Sequence, residues 1–107
     1  MATIEDFQKI DIRVGKVIEV KDAETRKPMY VLKVDFGELG VKQAIAGIKP
    51  FYTKEEILNK KFIFVFNLEP KKIANILSEC MILAATKDDK VVVLQPDRDI
   101  EIGSRIS

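Results

Sequence analysis

Five consecutive apolar residues, Phe62-Ile-Phe-Val-Phe66, constrain this chain more than any other feature. The run is too short for a helix and is bounded by Lys61 and Asn67, so it predicts a strand with both faces covered, the central wall of a sheet or barrel. It leads into Asn67-Leu-Glu-Pro70-Lys71-Lys72, a loop offering an amide and two cations around a proline that restricts the backbone. A second apolar run, Met81-Ile-Leu-Ala-Ala85, then returns. Two buried strands joined by a polar, basic loop are what a small barrel needs to present a binding mouth beside one end of its core.

The length of 107 residues predicts one domain, 1–107, with a single modest core. Hydrophobic residues at 47% and charged residues at 33% describe a globular chain with a well-solvated surface. Cys80 is the one cysteine and histidine is absent, which excludes an intramolecular disulfide, a Cys/His metal centre and a His general base. No cofactor or metal is expected. Asp35-Phe-Gly37 matches a kinase metal-binding tripeptide, but no Gly-rich nucleotide loop or catalytic loop accompanies it. With no acid, base and nucleophile to assemble, a non-catalytic binding module is expected. The opening Met-Ala-Thr-Ile-Glu-Asp lacks a basic or apolar leader pattern, and no stretch has the length of a membrane span, so the expectation is a cytoplasmic protein without a membrane partner.

The net charge of +1 argues against a general polyanion binder, yet its distribution is uneven. From Lys42 to Lys72 seven lysines face three glutamates, a local +4, whereas residues 1–41 sum to −1 and residues 73–107 to −2. Whether this is a patch or a solvated surface depends on the fold.

In chain order, Thr3-Ile-Glu-Asp6 has capping-box spacing and starts a short helix through about Lys9. Ile10 to Val20 alternates, with Ile10, Ile12, Val14, Ile18 and Val20 expected on one inward face and a bulge expected at Gly15. Tyr30, Leu32, Val34 and Phe36 form the inward face of a second strand, and Gly37 and Gly40 turn it into a hairpin with Val41 to Ala46. Thr53-Lys-Glu-Glu56 is a second capping box, opening a helix to about Leu58 that Asn59 can terminate. Beyond the 62–66 strand come strands at Met81 to Thr86 and Val91 to Leu94. A final extended segment with Ile100, Ile102 and Ile106 around Gly103 covers a barrel edge or pairs with another chain. No helix is long enough to cross over between parallel strands, so the order predicts an all-β chain, a five-stranded OB-fold Greek-key barrel with short helices.

Asp11-Ile-Arg-Val-Gly15-Lys, Leu32-Lys-Val-Asp35-Phe-Gly, Ala46-Gly-Ile, Tyr52-x-x-Glu55-Glu56-Ile-Leu-x-Lys60, Asn67-Leu-x-Pro70-Lys-Lys, Ser78-Glu-x-Met81-Ile-Leu-Ala-Ala and Pro96-Asp97, in this order over nearly the whole chain, resemble the small dimeric tRNA-binding OB-fold family. That family includes the C-terminal domain of methionyl-tRNA synthetase, its free-standing beta subunit, structure-specific tRNA-binding proteins and the secretion chaperone CsaA. The resemblance implies a homodimer whose N- and C-terminal additions form the interface, and a partner in tRNA recognised by shape, with the methionyl-tRNA synthetase catalytic subunit as a further partner. On the matching loop and strand it implies tRNA contacts at Asn67, Lys71, Lys72, Ser78 and Met81. Two departures stand out: Cys80 occupies the family's glycine place, and Lys71-Lys72 stands where arginine is frequent, which removes the guanidinium fork. Arg26-Lys27-Pro28 and Leu39-Gly40-Val-Lys42-Gln43 are closer to the chaperone branch, whereas Asn67-Leu-x-Pro70 and Met81 to Ala85 are closer to the synthetase branch.

Read as chemistry, Lys33, Lys42, Lys71 and Lys72 could line a phosphate-binding groove, with Asn67 and Ser78 reading sugar hydroxyls or base edges. Met81 serves either as core or as a platform for a base, and Asn67 either as a turn cap or as a contact. Phe51 and Tyr52 are the aromatics left over for stacking, unless they pack the second helix. An alternative ligand is an unfolded preprotein, gripped by Met29, Val31, Phe51, Ile76 and Leu77 as an apolar groove.

Overall fold

A computed structural model describes residues Met1–Ser107. Its wall is strand β4, Lys61–Val65, named here with the other elements in chain order: helix α1 (Ile4–Gln8), β1 (Ile12–Asp22), β2 (Tyr30–Asp35), β3 (Val41–Ala46), helix α2 (Lys54–Ile57), then β5 (Lys71–Ile73), β6 (Ile76–Ser78), β7 (Met81–Ile82), β8 (Ala84–Lys87) and β9 (Lys90–Val93). Phe62 and Phe64 point into the barrel and join its core, while Ile63 and Val65 point outward and are buried as well. The expectation of a strand covered on both faces is met.

The main sheet runs β3-β2-β1-β4-β7, antiparallel throughout. β1 is long enough to pair with β4 through Ile12–Lys16 and with β2 through Lys16–Asp22, so one strand serves both halves of a nearly closed OB-like barrel. Closure between β3 and the chain before β7 uses side chains as well as backbone. The Glu79 amide donates to the Gln43 carbonyl at 2.7 Å, the Gln43 amide to Glu79 Oε1 at 3.0 Å and the Ile45 amide to Ser78 Oγ at 3.2 Å. Inside sit Tyr30, Leu32, Val34 and Phe36 as expected, with Phe36 meeting Phe64 edge-on at 5.6 Å between ring centroids.

The faces of β1 differ from expectation. Ile12 and Val14 pair with Val65 and Ile63 and therefore share the outer face, whereas Gly15 faces inward: a Cβ there would lie 2.5 Å from Val34 Cγ1 and 2.7 Å from Phe36 Cε1. Gly15 marks a close approach, not the bulge. The register shift falls between Val17 and Glu19, and it expels Ile18, which is 41% exposed, before Val20 turns in again. The hairpin turn is as expected, with Gly37 and Gly40 at φ of 70° and 93°.

Both capping boxes form, at Thr3 with Asp6 and at Thr53 with Glu56, and Asn59 ends the α2 turn at a φ of 63°. α2 plugs the barrel with the fully buried Ile57, while α1 buries nothing. The expected strand from Met81 to Thr86 is divided at Leu83 into β7 and the β8–β9 hairpin. The C-terminal segment covers an edge of its own chain. The Val14 amide donates to the Ser104 carbonyl, the Gly103 amide to Val14 and the Ile106 amide to Ile12. No helix is long and apolar enough to cross a membrane.

Candidate nucleic-acid interface

The basic stretch after β4, expected as a loop, folds as a two-stranded ribbon. Lys71 pairs with Ser78, Lys72 with Leu77 and Ile73 with Ile76, and the chain reverses at Ala74-Asn75 with φ of 51° and 66°, the left-handed pair that a tight hairpin requires. Directly opposed residues share a face, so Lys71, Ile73, Ile76 and Ser78 lie on one side and Lys72 and Leu77 on the other.

The first side closes over a cleft of about 340 Å³ lined by Ile45, Leu68, Glu69, Lys71, Ile73, Ser78, Cys80 and Met81. Its floor is apolar and its rim carries the Lys71 ammonium and the Glu69 carboxylate. Met81 is 44% exposed, so the core assignment does not hold for it: β7 is two residues long, and the position beside Ile82 faces outward. Ile45, Leu68 and Ile73 join the lining without being evident from sequence. The signal for Ile45 was its place between inward Ala44 and Ala46, which sets a large apolar side chain on the outer face. That face continues across the sheet, because Lys33 pairs with Gln43 and Val31 with Ile45.

Electrostatics narrow the mid-chain charge. Lys49 and Lys54 both contact Asp22, each at 3.0 Å, and their hydrogen bonds, Lys54 first, hold that carboxyl below its ordinary range. Lys61 is bound to Asp99 at 2.8 Å. Lys33 shares Glu19 with Lys21, at 3.8 Å and 3.6 Å. Lys71 and Lys72 make no ion pair and stand exposed on the ribbon.

Two expected contact residues are committed elsewhere. Lys42 does not line the groove: its Nζ sits 3.7 Å from the Phe66 ring centroid and donates to the Phe66 carbonyl at 2.7 Å, because the inward side of β3 at that end meets an aromatic ring and a carbonyl rather than water. Asn67 holds the N-terminal segment, its Oδ1 accepting from the Asp11 amide and its Nδ2 donating to the Lys9 carbonyl, each at 2.8 Å. Ser78 Oγ, already holding Ile45, also donates to the Cys80 carbonyl at 3.4 Å. Burial pushes the Cys80 thiol up to about 12, outweighing the opposing effect of nearby Lys42. It remains a neutral packing group beneath the cleft. Phe51 is exposed, while the Tyr52 hydroxyl accepts from the Val93 amide at 3.1 Å.

The fold recurs among known proteins. Residues 12–105 match the family model described as "Putative tRNA binding domain". A methionine–tRNA ligase of Pyrococcus horikoshii is 46% identical over 102 residues, covering 95% of this chain and 14% of that protein; the chain thus spans about one-seventh of the length of the curated relatives it matches. Among solved structures, the CsaA chaperone protein from Picrophilus torridus is 48% identical with a TM-score of 0.93 and full coverage of both chains. The MetRS related protein from Pyrococcus horikoshii is 31% identical with a TM-score of 0.92, covering 100% of this chain and 98% of that one. The chain belongs to the tRNA binding domain family and resembles the domain associated with methionyl-tRNA synthetases.

Proposed function

We propose that this chain is a structure-specific tRNA-binding protein acting as an accessory (beta) subunit of methionyl-tRNA synthetase, raising tRNA affinity in trans as a cytoplasmic homodimer. The observation that carries this reading is that Lys71 and Lys72 make no ion pair and stand exposed on a ribbon that flanks an apolar cleft, Lys71 on the cleft side and Lys72 on the other, with Met81 exposed. Lysines supply phosphate affinity, and an apolar floor supplies a surface for an unstacked base, a combination suited to folded RNA with splayed nucleotides. Support for dimerisation comes from α1, whose Ile4 and Phe7 are exposed and border a groove containing Ile106, with Ile10 exposed just beyond the helix. The test is titration with folded tRNA over a range of salt. Wild-type affinity should fall by about 0.7–0.9 log units per log unit of salt for each phosphate neutralised. Lys71→Glu/Lys72→Glu should abolish the binding.

A second reading, an export chaperone for unfolded preproteins, is favoured by the apolar cleft walls Ile45, Leu68 and Ile73 and by the full-length similarity to a protein named as a CsaA chaperone. It predicts binding of unfolded peptide with little dependence on salt and little response to the double charge reversal.

A further inference from the structure

The connection from β4 to the ribbon, Phe66 to Pro70, supplies the cleft with Leu68 and Glu69. It has no regular secondary structure of its own, and it is held from two sides at its start. On one side is Lys42, clamped on the Phe66 ring and carbonyl, with that ring edge-on to Phe36 at 4.9 Å. On the other is the chain just after α1: the Phe66 amide donates to the Asp11 carbonyl at 2.7 Å, and Asn67 bridges Lys9 and Asp11 with both ends of its amide. The stitch continues outward. The Asp11 carboxylate accepts from Arg13 Nε at 2.7 Å, and Arg13 Nη1 donates to the Gly103 carbonyl at 3.1 Å, so the segment after α1, β1 and the C-terminal segment form one polar chain ending at Asn67.

We infer that Asn67 is a positioning residue: it couples the terminal segments to the cleft by fixing where Leu68 and Glu69 stand. Both hydrogen-bonding ends of its amide are occupied by backbone, which leaves it poorly equipped to read a base but well placed to transmit the position of α1. Coupling between two sites is reciprocal, so occupancy of the cleft alters the Lys9–Asp11 stitch as much as the stitch alters binding. The choice of ligand rests on the tRNA reading proposed above; the coupling itself does not.

The experiment compares the full-length wild type with Asn67→Ala and Asn67→Asp by nuclear magnetic resonance without ligand, and then in tRNA titrations with the oligomeric state monitored. In the free protein, Asn67→Ala should speed hydrogen exchange at the Asp11 and Phe66 amides and shift the Leu68 and Met81 methyl resonances. Its tRNA affinity should fall about tenfold, within the range typical of linked sites, at an unchanged salt slope. Asn67→Asp keeps the acceptor for the Asp11 amide and loses the donor to the Lys9 carbonyl, so its ligand-free exchange rates and methyl shifts should fall between. Weakened binding with amides and methyls unmoved would make Asn67 a direct ligand contact and overturn the inference. Faster amide exchange with methyls and affinity unmoved would overturn it too, leaving a clamp that does not reach the cleft. Should the wild type bind no tRNA, the functional reading fails, while the ligand-free comparison still decides the coupling and unfolded peptide serves for the affinity arm.

Discussion

Strand β4 and the β5–β6 ribbon lie a short loop apart in the chain and are built on opposite principles. β4 buries Phe62, Ile63, Phe64 and Val65, on both faces, between the long β1 and the two-residue β7. The ribbon consists of two three-residue strands, none of whose residues is fully buried, joined by a turn with alanine in a left-handed conformation. Burial secures the first, so that it serves as a reference frame. The second is held by a few hydrogen bonds, such as Gln43 Nε2 to the Leu77 carbonyl at 3.0 Å, and carries Lys71 and Lys72, which make no ion pair. A rigid wall presenting a lightly held, charged ribbon suits a surface that must meet a large, irregular ligand.

The most direct way to break the contrast is to damage the wall. Phe64→Ala should cost about 3–5 kcal/mol of stability by emptying the core against Phe36, read from denaturant midpoints. Truncating ribbon residues such as Leu77 to alanine should leave the midpoint nearly unmoved. Next in size is an alkaline effect from beneath the cleft. The folded state raises the Cys80 thiol from 9.0 to about 12, so its contribution to stability is complete below pH 9 and is lost as pH rises from 9 towards 12. The loss amounts to about 1.4 kcal/mol per pH unit in that window, and its signature is a flatter alkaline limb in Cys80→Ala than in the wild type. Lys42→Met should destabilise by about 1 kcal/mol through loss of the cation–π contact and the hydrogen bond to Phe66, with the salt slope of RNA binding intact. The smallest effect is expected at the ribbon tip. Ala74→Gly should relieve the positive φ and stabilise by roughly 0.5 kcal/mol, seen as slower amide exchange across β5 and β6.

The same contrast governs what the sequence made legible. The wall could be read because five apolar residues in a row admit few structures, and both helix starts could be read because capping boxes are local chemistry. The ribbon was hidden because three-residue strands carry no usable alternation. Period-2 patterning reports faces but does not locate a register shift, so the sequence points to Gly15 for a bulge that falls at Ile18, while the glycine answers to the approach of Phe36. Site chemistry was harder still. A lysine on a strand reads as a solvated cation, yet Lys42 is spent on an aromatic ring 24 positions away, and Asn67 on backbone 56 and 58 positions away. Such partners exist only once the chain is folded, whereas Lys71 and Lys72 keep in three dimensions the unpaired charge that the sequence displays.

In the proposed role Lys71 at the cleft rim and Lys72 on the opposite face of the ribbon together grip folded tRNA. The salt dependence of tRNA binding by the wild type and by Lys71→Glu/Lys72→Glu decides this, with both proteins verified to have the same unfolding midpoint. The wild type should show a steep slope and the variant no measurable binding. Equal affinities and equal slopes for the two proteins would contradict it.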